Sequence, residues 1–251
     1  MIPIHSHWAK SPKYNLCLIH GYADSHACFA SVLNSPIAAE ANIFMVDLPG
    51  FGDAPLVKSG IETHIQELVQ AIEANNAALP CIILGHSMGG TVATMVAEGM
   101  SVKPALLIAV DSTLSAGQYS IASDASTAEE FKQNLALKIK TRLPASPDIA
   151  HFATQIEISS AEALVYWAAE GLKIRAHDRV VKAFRELSCP KYYLIGRNSF
   201  EIADHQRLLD LFADVVIWLP DAGHWIMLDT PQAFWQRINE LISNSLKNKV
   251  N

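Results

Sequence analysis

Attack of a serine on a carbonyl needs an exposed hydroxyl, a base and donors for the oxyanion. The sequence offers candidates for each. Gly85-His86-Ser87-Met88-Gly89 has the G-x-S-x-G form and directly follows the apolar run Cys81–Leu84. A helical pattern starts at Met88, so the motif stands in a strand–turn–helix context. On so sharp a turn the neighbours two positions either side of the serine come close together. Side chains there would clash, which accounts for Gly85 and Gly89. The helix that follows aims its N-terminal N–H groups at developing negative charge. His224, in Asp221-Ala222-Gly223-His224-Trp225, lies between the last apolar run and the last helical pattern, a place suited to a general base. His20-Gly21-Tyr22 follows the first apolar run. With glycine there the backbone approaches a substrate, and the N–H groups of Tyr22 and Met88 are the expected oxyanion donors. Gly21 and His86, the variable residue of the turn, are the candidate substrate contacts.

The elements that must position these groups are also legible. Leu16–Ile19, Ile43–Val46, Cys81–Leu84, Ala105–Val110, Tyr192–Ile195 and Val215–Leu219 are short apolar runs, as expected of strands buried on both faces. Ile61, Ile65, Leu68 and Ile72 recur at helical spacing before Pro80, and Met88 to Met100 is rich in Ala, Met and Val. Phe234 to Leu246 reads as a final amphipathic helix, with Pro231 near its start. Alternating strands and helices imply βαβ units and a largely parallel, doubly wound sheet. Ser112 to Ser188 breaks the rhythm with helical patterns only. Ser126-Thr-Ala-Glu129 has capping-box form, Ser160-Ala-Glu162 opens an apolar-rich helix, and Val180, Val181 and Phe184 sit on a third.

The 251 residues suffice for a large core, half of them are apolar, and the net charge is -6. No Lys/Arg cluster marks a nucleic-acid surface. No run approaches the roughly 20 apolar residues of a membrane helix, and no signal peptide opens the chain. Cys17, Cys28, Cys81 and Cys189 are scattered, without a CxxC pair, and read as reduced structural thiols. A cytoplasmic protein is expected. His5 and His7 alternate near the start, but without further ligands in the sequence they make no metal site.

His20-Gly21, Asp47-Leu-Pro-Gly-Phe-Gly52, Gly85-His-Ser-Met-Gly89 and Gly223-His224-Trp225 stand in the order and spacing of the α/β-hydrolase superfamily. The chain resembles its branch of small, lid-bearing serine esterases and meta-cleavage-product hydrolases. The likeness spans essentially the whole chain, strong over 16–111 and 189–247 and weak between. It implies the α/β-hydrolase fold, a mostly parallel doubly wound sheet with a helical lid inserted after the sixth strand. Residues 1–111 and 189–251 would form the core and 112–188 the lid. The serine sets the chain apart from the dehalogenases and epoxide hydrolases of the fold, which use aspartate.

One position departs from the pattern. The family usually carries its acid as Gly-x-x-Asp after the strand that is here Tyr192–Ile195. This chain reads Gly196-Arg197-Asn198-Ser199, and serine cannot hold negative charge beside an imidazolium. Some relatives carry the acid at the preceding strand end, where Asp111 stands, and Ser87, Asp111, His224 is the chain order of the fold. Glu201 and Asp204 are the rivals, and a triad without an acid is the remaining case.

The expected chemistry is acyl transfer. His224 takes the Ser87 proton, Ser87 forms an acyl-enzyme and water hydrolyses it, with no metal or organic cofactor. The partner is a small-molecule ester or thioester, with no nucleic acid and no membrane. Oligomeric state is not legible. Carbon–carbon hydrolysis or a related lyase reaction on a diketone-like compound would use the same residues. A non-catalytic binding member of the fold is the alternative from another class. Asp47 and Gly50 to Gly52 read as a structural loop, and Tyr166 and Trp167 as lid packing.

Overall fold

All six apolar runs form strands. The computed structural model describes residues 2–75, 79–115, 125–142, 147–199 and 202–247. Its strands are β1 (Ile4–His7), β2 (Tyr14–Ile19), β3 (Ala41–Val46), β4 (Cys81–His86), β5 (Leu106–Val110), β6 (Lys191–Gly196) and β7 (Val216–Leu219). They make one sheet in the order β1-β3-β2-β4-β5-β6-β7. Strands β2 to β5 are buried at every residue, because helices cover both faces of a parallel sheet. The pairs β2–β3, β2–β4, β4–β5, β5–β6 and β6–β7 are parallel.

β1 was not read from the sequence. Its Ile-His-Ser-His has one apolar side chain, and pairing supplies what periodicity does not. It runs antiparallel to β3, with Ile4 opposite Val46 and His7 opposite Ile43.

The helices are α1 (Ile37–Glu40), α2 (Ile61–Asn75), α3 (Met88–Gly99), α4 (Ala128–Arg142), α5 (Pro147–Ile158), α6 (Ala161–Arg175), α7 (Arg179–Glu186), α8 (Ile202–Leu211), α9 (Ile226–Asp229) and α10 (Pro231–Lys247). Helices α4 to α7 form the expected helical insertion, which leaves the sheet after β5 in this chain's numbering and returns at β6. The capping box of α4 is shifted by one residue from the expected register. Thr127 Oγ1 accepts the Glu130 N–H at 3.1 Å, and the Glu130 carboxylate accepts the Ser126 N–H at 2.8 Å. Ser-Thr-Ala-Glu-Glu holds two overlapping boxes, and the inner one is used. Ser160 caps α6 as expected, accepting Ala163 N–H at 3.1 Å.

Polar contacts dock α6 on the core. Tyr22 Oη donates to Leu164 O at 2.8 Å, Trp167 Nε1 to Pro49 O at 2.7 Å, and Ile61 N to Glu170 Oε2 at 2.9 Å. Tyr166 Oη accepts Gly60 N–H at 3.0 Å, so this ring packs the insertion against the start of α2.

The order of strands sets the site. The chain steps from β2 outward to β3 and then back across to β4. The loops after β2 and β4 therefore diverge at a switch point, where such sheets bind ligands beyond the carboxyl ends of their strands.

Helix α10 buries Phe234, Trp235, Ile238, Leu241 and Ile242, one face of a helical wheel. Ile238→Ala should therefore cost about 2–5 kcal/mol in denaturant unfolding. Arg237→Ala, which removes an exposed ion pair with Glu240, should leave the unfolding midpoint nearly unchanged.

Candidate active site

Ser87 sits between β4 and α3 with φ 52° and ψ -121°, a conformation that L-residues avoid. Close packing around it holds the strained turn. Ser87 N–H donates to Val110 O at 2.8 Å, and Gly90 N–H to Ser87 O at 3.0 Å. A Cβ on Gly85 would lie 2.2 Å from Gly89 O, and one on Gly89 would lie 2.2 Å from Ile19 O. The turn is pressed on the end of β2, which brings the His20-Gly21-Tyr22 loop to the serine. A Cβ on Gly21 would meet Ser87 Cβ at 3.0 Å. Met88 opens α3, so its N–H has no acceptor within the helix and is available to a ligand.

His20 fixes that loop from behind. Its Nε2 accepts Leu48 N–H at 3.0 Å, which leaves the proton on Nδ1, 2.7 Å from Gly21 O. Burial pushes the imidazole below its ordinary pKa, and Asp24 and Asp47 offset this only partly.

Asp111, at the end of β5, is fully buried with φ 44°. Its Oδ1 accepts His224 Nδ1–H at 3.0 Å and Ser199 Oγ–H at 2.9 Å, and its Oδ2 lies 3.3 Å from Gly196 N. This contact fixes the His224 tautomer and leaves Nε2 with the lone pair of a base. Ser199, in the Gly196-Arg197-Asn198-Ser199 turn after β6, thus donates to a carboxylate at the end of the neighbouring strand β5. Of the rivals, Glu201 lies outside the described residues. Asp204 falls on α8, with its side chain outside the description.

Gly21, Tyr22, His86, Ser87, Met88 and His224 all line one cavity. His86 Nε2 donates to His224 O at 3.0 Å, tying the turn to the histidine loop. Phe152, Trp167, Leu172 and Arg175 of the insertion complete the wall, with Thr113 and Trp225. The sequence pattern favours packing over substrate contact for Trp167. It does pack, yet it also faces the cavity, which a helical pattern cannot reveal. Phe152 and Arg175 gave no sequence signal, since their role depends on where α5 and α6 land.

Asp24 links the parts. Burial opposes its charge, but His151 at 3.4 Å and Trp225 Nε1 at 2.7 Å favour it, and its pKa stays below the ordinary value. One carboxylate thereby joins α5, the loop after β2 and the residue after His224.

The model of the alpha/beta hydrolase family matches residues 18–237. The chain belongs to this family. It is 21% identical over 250 residues to the mouse sn-1-specific diacylglycerol lipase ABHD11, covering 91% of this chain and 80% of that one. Over 85 residues it is 34% identical to the pimeloyl-[acyl-carrier protein] methyl ester esterase of Aeromonas hydrophila, a match to about a third of each chain (33% and 32%). Among solved structures, a thermophilic esterase from Thermogutta terrifontis superimposes with TM-score 0.72 at 18% identity, over 97% of this chain and 93% of that one. That likeness is one of fold. No helix among the described residues is long and apolar enough to cross a membrane.

Gly89→Ala should lower unfolding free energy by at least about 1–3 kcal/mol, because its Cβ meets backbone that cannot rotate away. His20 predicts a pH dependence. Its folded pKa is depressed, so its contribution is complete above about pH 6.5 and is lost as pH falls through the lower folded value. Unfolding free energy should decline over that window, and a His20→Asn variant should lose that part of the slope.

Proposed function

We propose that the protein is a serine hydrolase of carboxylic esters or thioesters, with Ser87 as nucleophile, His224 as general base and Asp111 as the orienting acid. One observation carries the reading. The buried Asp111 carboxylate accepts the His224 Nδ1 proton at 3.0 Å and a hydrogen bond from Ser199 at 2.9 Å. That arrangement gives His224 the orientation of a base although the usual acid position holds serine.

His224 Nε2 takes the Ser87 proton as Oγ bonds to the carbonyl carbon. The carbonyl oxygen, now negative, is held by the N–H groups of Tyr22 and Met88. Collapse of the intermediate breaks the bond to the alcohol or thiol, which leaves with the proton from His224. Water, deprotonated by the same histidine, then releases the acid and restores Ser87. Asp111 orients the ring and stabilises the imidazolium.

The relatives support the ester class: one is a lipase by name, another a methyl ester esterase. Residues 112–188 act as a lid over a core of 1–111 and 189–251, and the apolar wall of Phe152, Trp167, Leu172 and Trp225 receives the acyl group. Gly21 and His86 border the reacting carbon. Four buried cysteine thiols fit the expected cytoplasmic location.

The test is hydrolysis of p-nitrophenyl butyrate. Ser87→Ala should abolish turnover, and activity that survives it would sink the assignment. Asp111→Asn should lower kcat about 10⁴-fold, whereas a near wild-type rate would remove Asp111 from the mechanism. Because Ser199 touches the same carboxylate, the double variant Asp111→Asn/Ser199→Asp should recover part of the lost rate.

A further inference from the structure

A second cluster lies on the edge of the sheet, behind the oxyanion loop. His5 on β1, His26 at the start of the 3-10 turn His26–Asn34, Asp47 at the end of β3 and Asp53 in the following loop converge from four segments. One donor atom from each lies within 4.8 Å of all the others. His5 Nε2 is 3.1 Å from Asp47 Oδ2 and 3.5 Å from Asp53 Oδ2, and His26 Nδ1 is 2.9 Å from Asp47 Oδ2.

These separations match a metal's coordination shell. Four ligands bound tetrahedrally at about 2.0 Å, the Zn–N and Zn–O length, stand about 3.3 Å from one another. The two imidazoles stack, with centroids 3.5 Å apart and an interplanar angle of 17°, and each presents a ring nitrogen to Asp47 Oδ2, at 3.1 Å from His5 and 2.9 Å from His26. We propose that His5, His26, Asp47 and Asp53 form a binding site for a divalent transition-metal ion of the Zn²⁺ type. Two imidazoles with two carboxylates suit such an ion better than Mg²⁺, which prefers oxygen alone.

The carboxylate at the centre has room for it. Asp47 Oδ1 accepts His26 N–H at 2.7 Å and Oδ2 accepts Asp53 N–H at 2.9 Å. Imidazole N–H groups supply its other donors: His26 Nδ1 lies 3.0 Å from Oδ1 and 2.9 Å from Oδ2, and His5 Nε2 lies 3.1 Å from Oδ2. On metal binding each ring moves that proton to its other nitrogen, Nδ1 of His5 and Nε2 of His26, and offers its lone pair instead. Asp47 is buried, while His5 and His26 are partly exposed and Asp53 is 72% exposed at its side chain, so the ion enters from solvent.

The role is structural. The ion joins the antiparallel edge strand to the loops after β2 and β3. Asp47 also precedes Leu48, whose N–H holds His20 behind Gly21. The metal therefore braces the oxyanion loop without touching the reacting atoms.

The test uses the full chain, stripped with EDTA and titrated with Zn²⁺ by calorimetry and with Co²⁺ by visible absorption. One equivalent should bind, the Co²⁺ complex should show the intense bands of tetrahedral geometry, and Zn²⁺ should raise Tm. His5→Ala and Asp53→Asn should each weaken binding at least about tenfold, since even outer partners of a metal cost that much. Asp53→Asn alters an exposed side chain and keeps the fold, which its melting in EDTA verifies. Ser87→Ala and His177→Ala should bind as wild type does, which separates this site from the esterase reading and from stray surface histidines. No binding, or binding that both ligand variants leave unchanged, overturns the proposal.

Discussion

Burying a charge is the constraint on which the site depends. A carboxylate out of water is costly unless every lone pair that loses solvent gains a donor. Asp111 meets that demand with the His224 imidazole, the Ser199 hydroxyl and the Gly196 amide. The donors come from two parts of the fold. Ser199 and Gly196 come from β6 and the turn after it, and His224 from the loop beyond β7. The carboxylate keeps these three donors only if β5, β6 and that loop are assembled in register. Folding and the orientation of the base are thus one event.

A serine at position 199 therefore completes the site. A second acid there would place two carboxylates beside one imidazole, and mutual repulsion would force one to take up a proton. A hydroxyl at 199 donates to Asp111 instead. Backbone strain at Ser87 and the left-handed φ of Asp111 lie on adjacent strand ends. Both are sustained by the same parallel sheet, whose central strands are wholly buried.

Polar groups also hold the helical insertion to the core. Asp24 reaches α5 through His151 and the histidine loop through Trp225, while Trp167 and Tyr22 bond across to backbone carbonyls. Directional bonds of this kind position a wall more narrowly than apolar contact alone, which tolerates sliding. They place Arg175 and Phe152 in a cavity otherwise built by the sheet.

Much of this was written locally. Six apolar runs fixed the strands, and Gly85 and Gly89 around Ser87 fixed the turn, because a buried strand and a crowded backbone each leave a short-range signature. His224 and Gly21 were legible from their places just past strand ends, whereas Asp111 stood as one of three candidate acids beside Glu201 and Asp204. Other features exist only through contacts distant in sequence. β1 has one apolar side chain and is a strand because β3 pairs with it. The inner box of Ser-Thr-Ala-Glu-Glu was chosen by where α4 begins. His5, His26, Asp47 and Asp53 are scattered over 49 positions and meet because an antiparallel edge strand brings the first of them to the other three. The sequence by itself determined which residues can do chemistry and which segments are buried. Tertiary structure decided which carboxylate faces His224 and which side chains of the insertion enter the cavity, since both depend on the register of strands and the docking of helices.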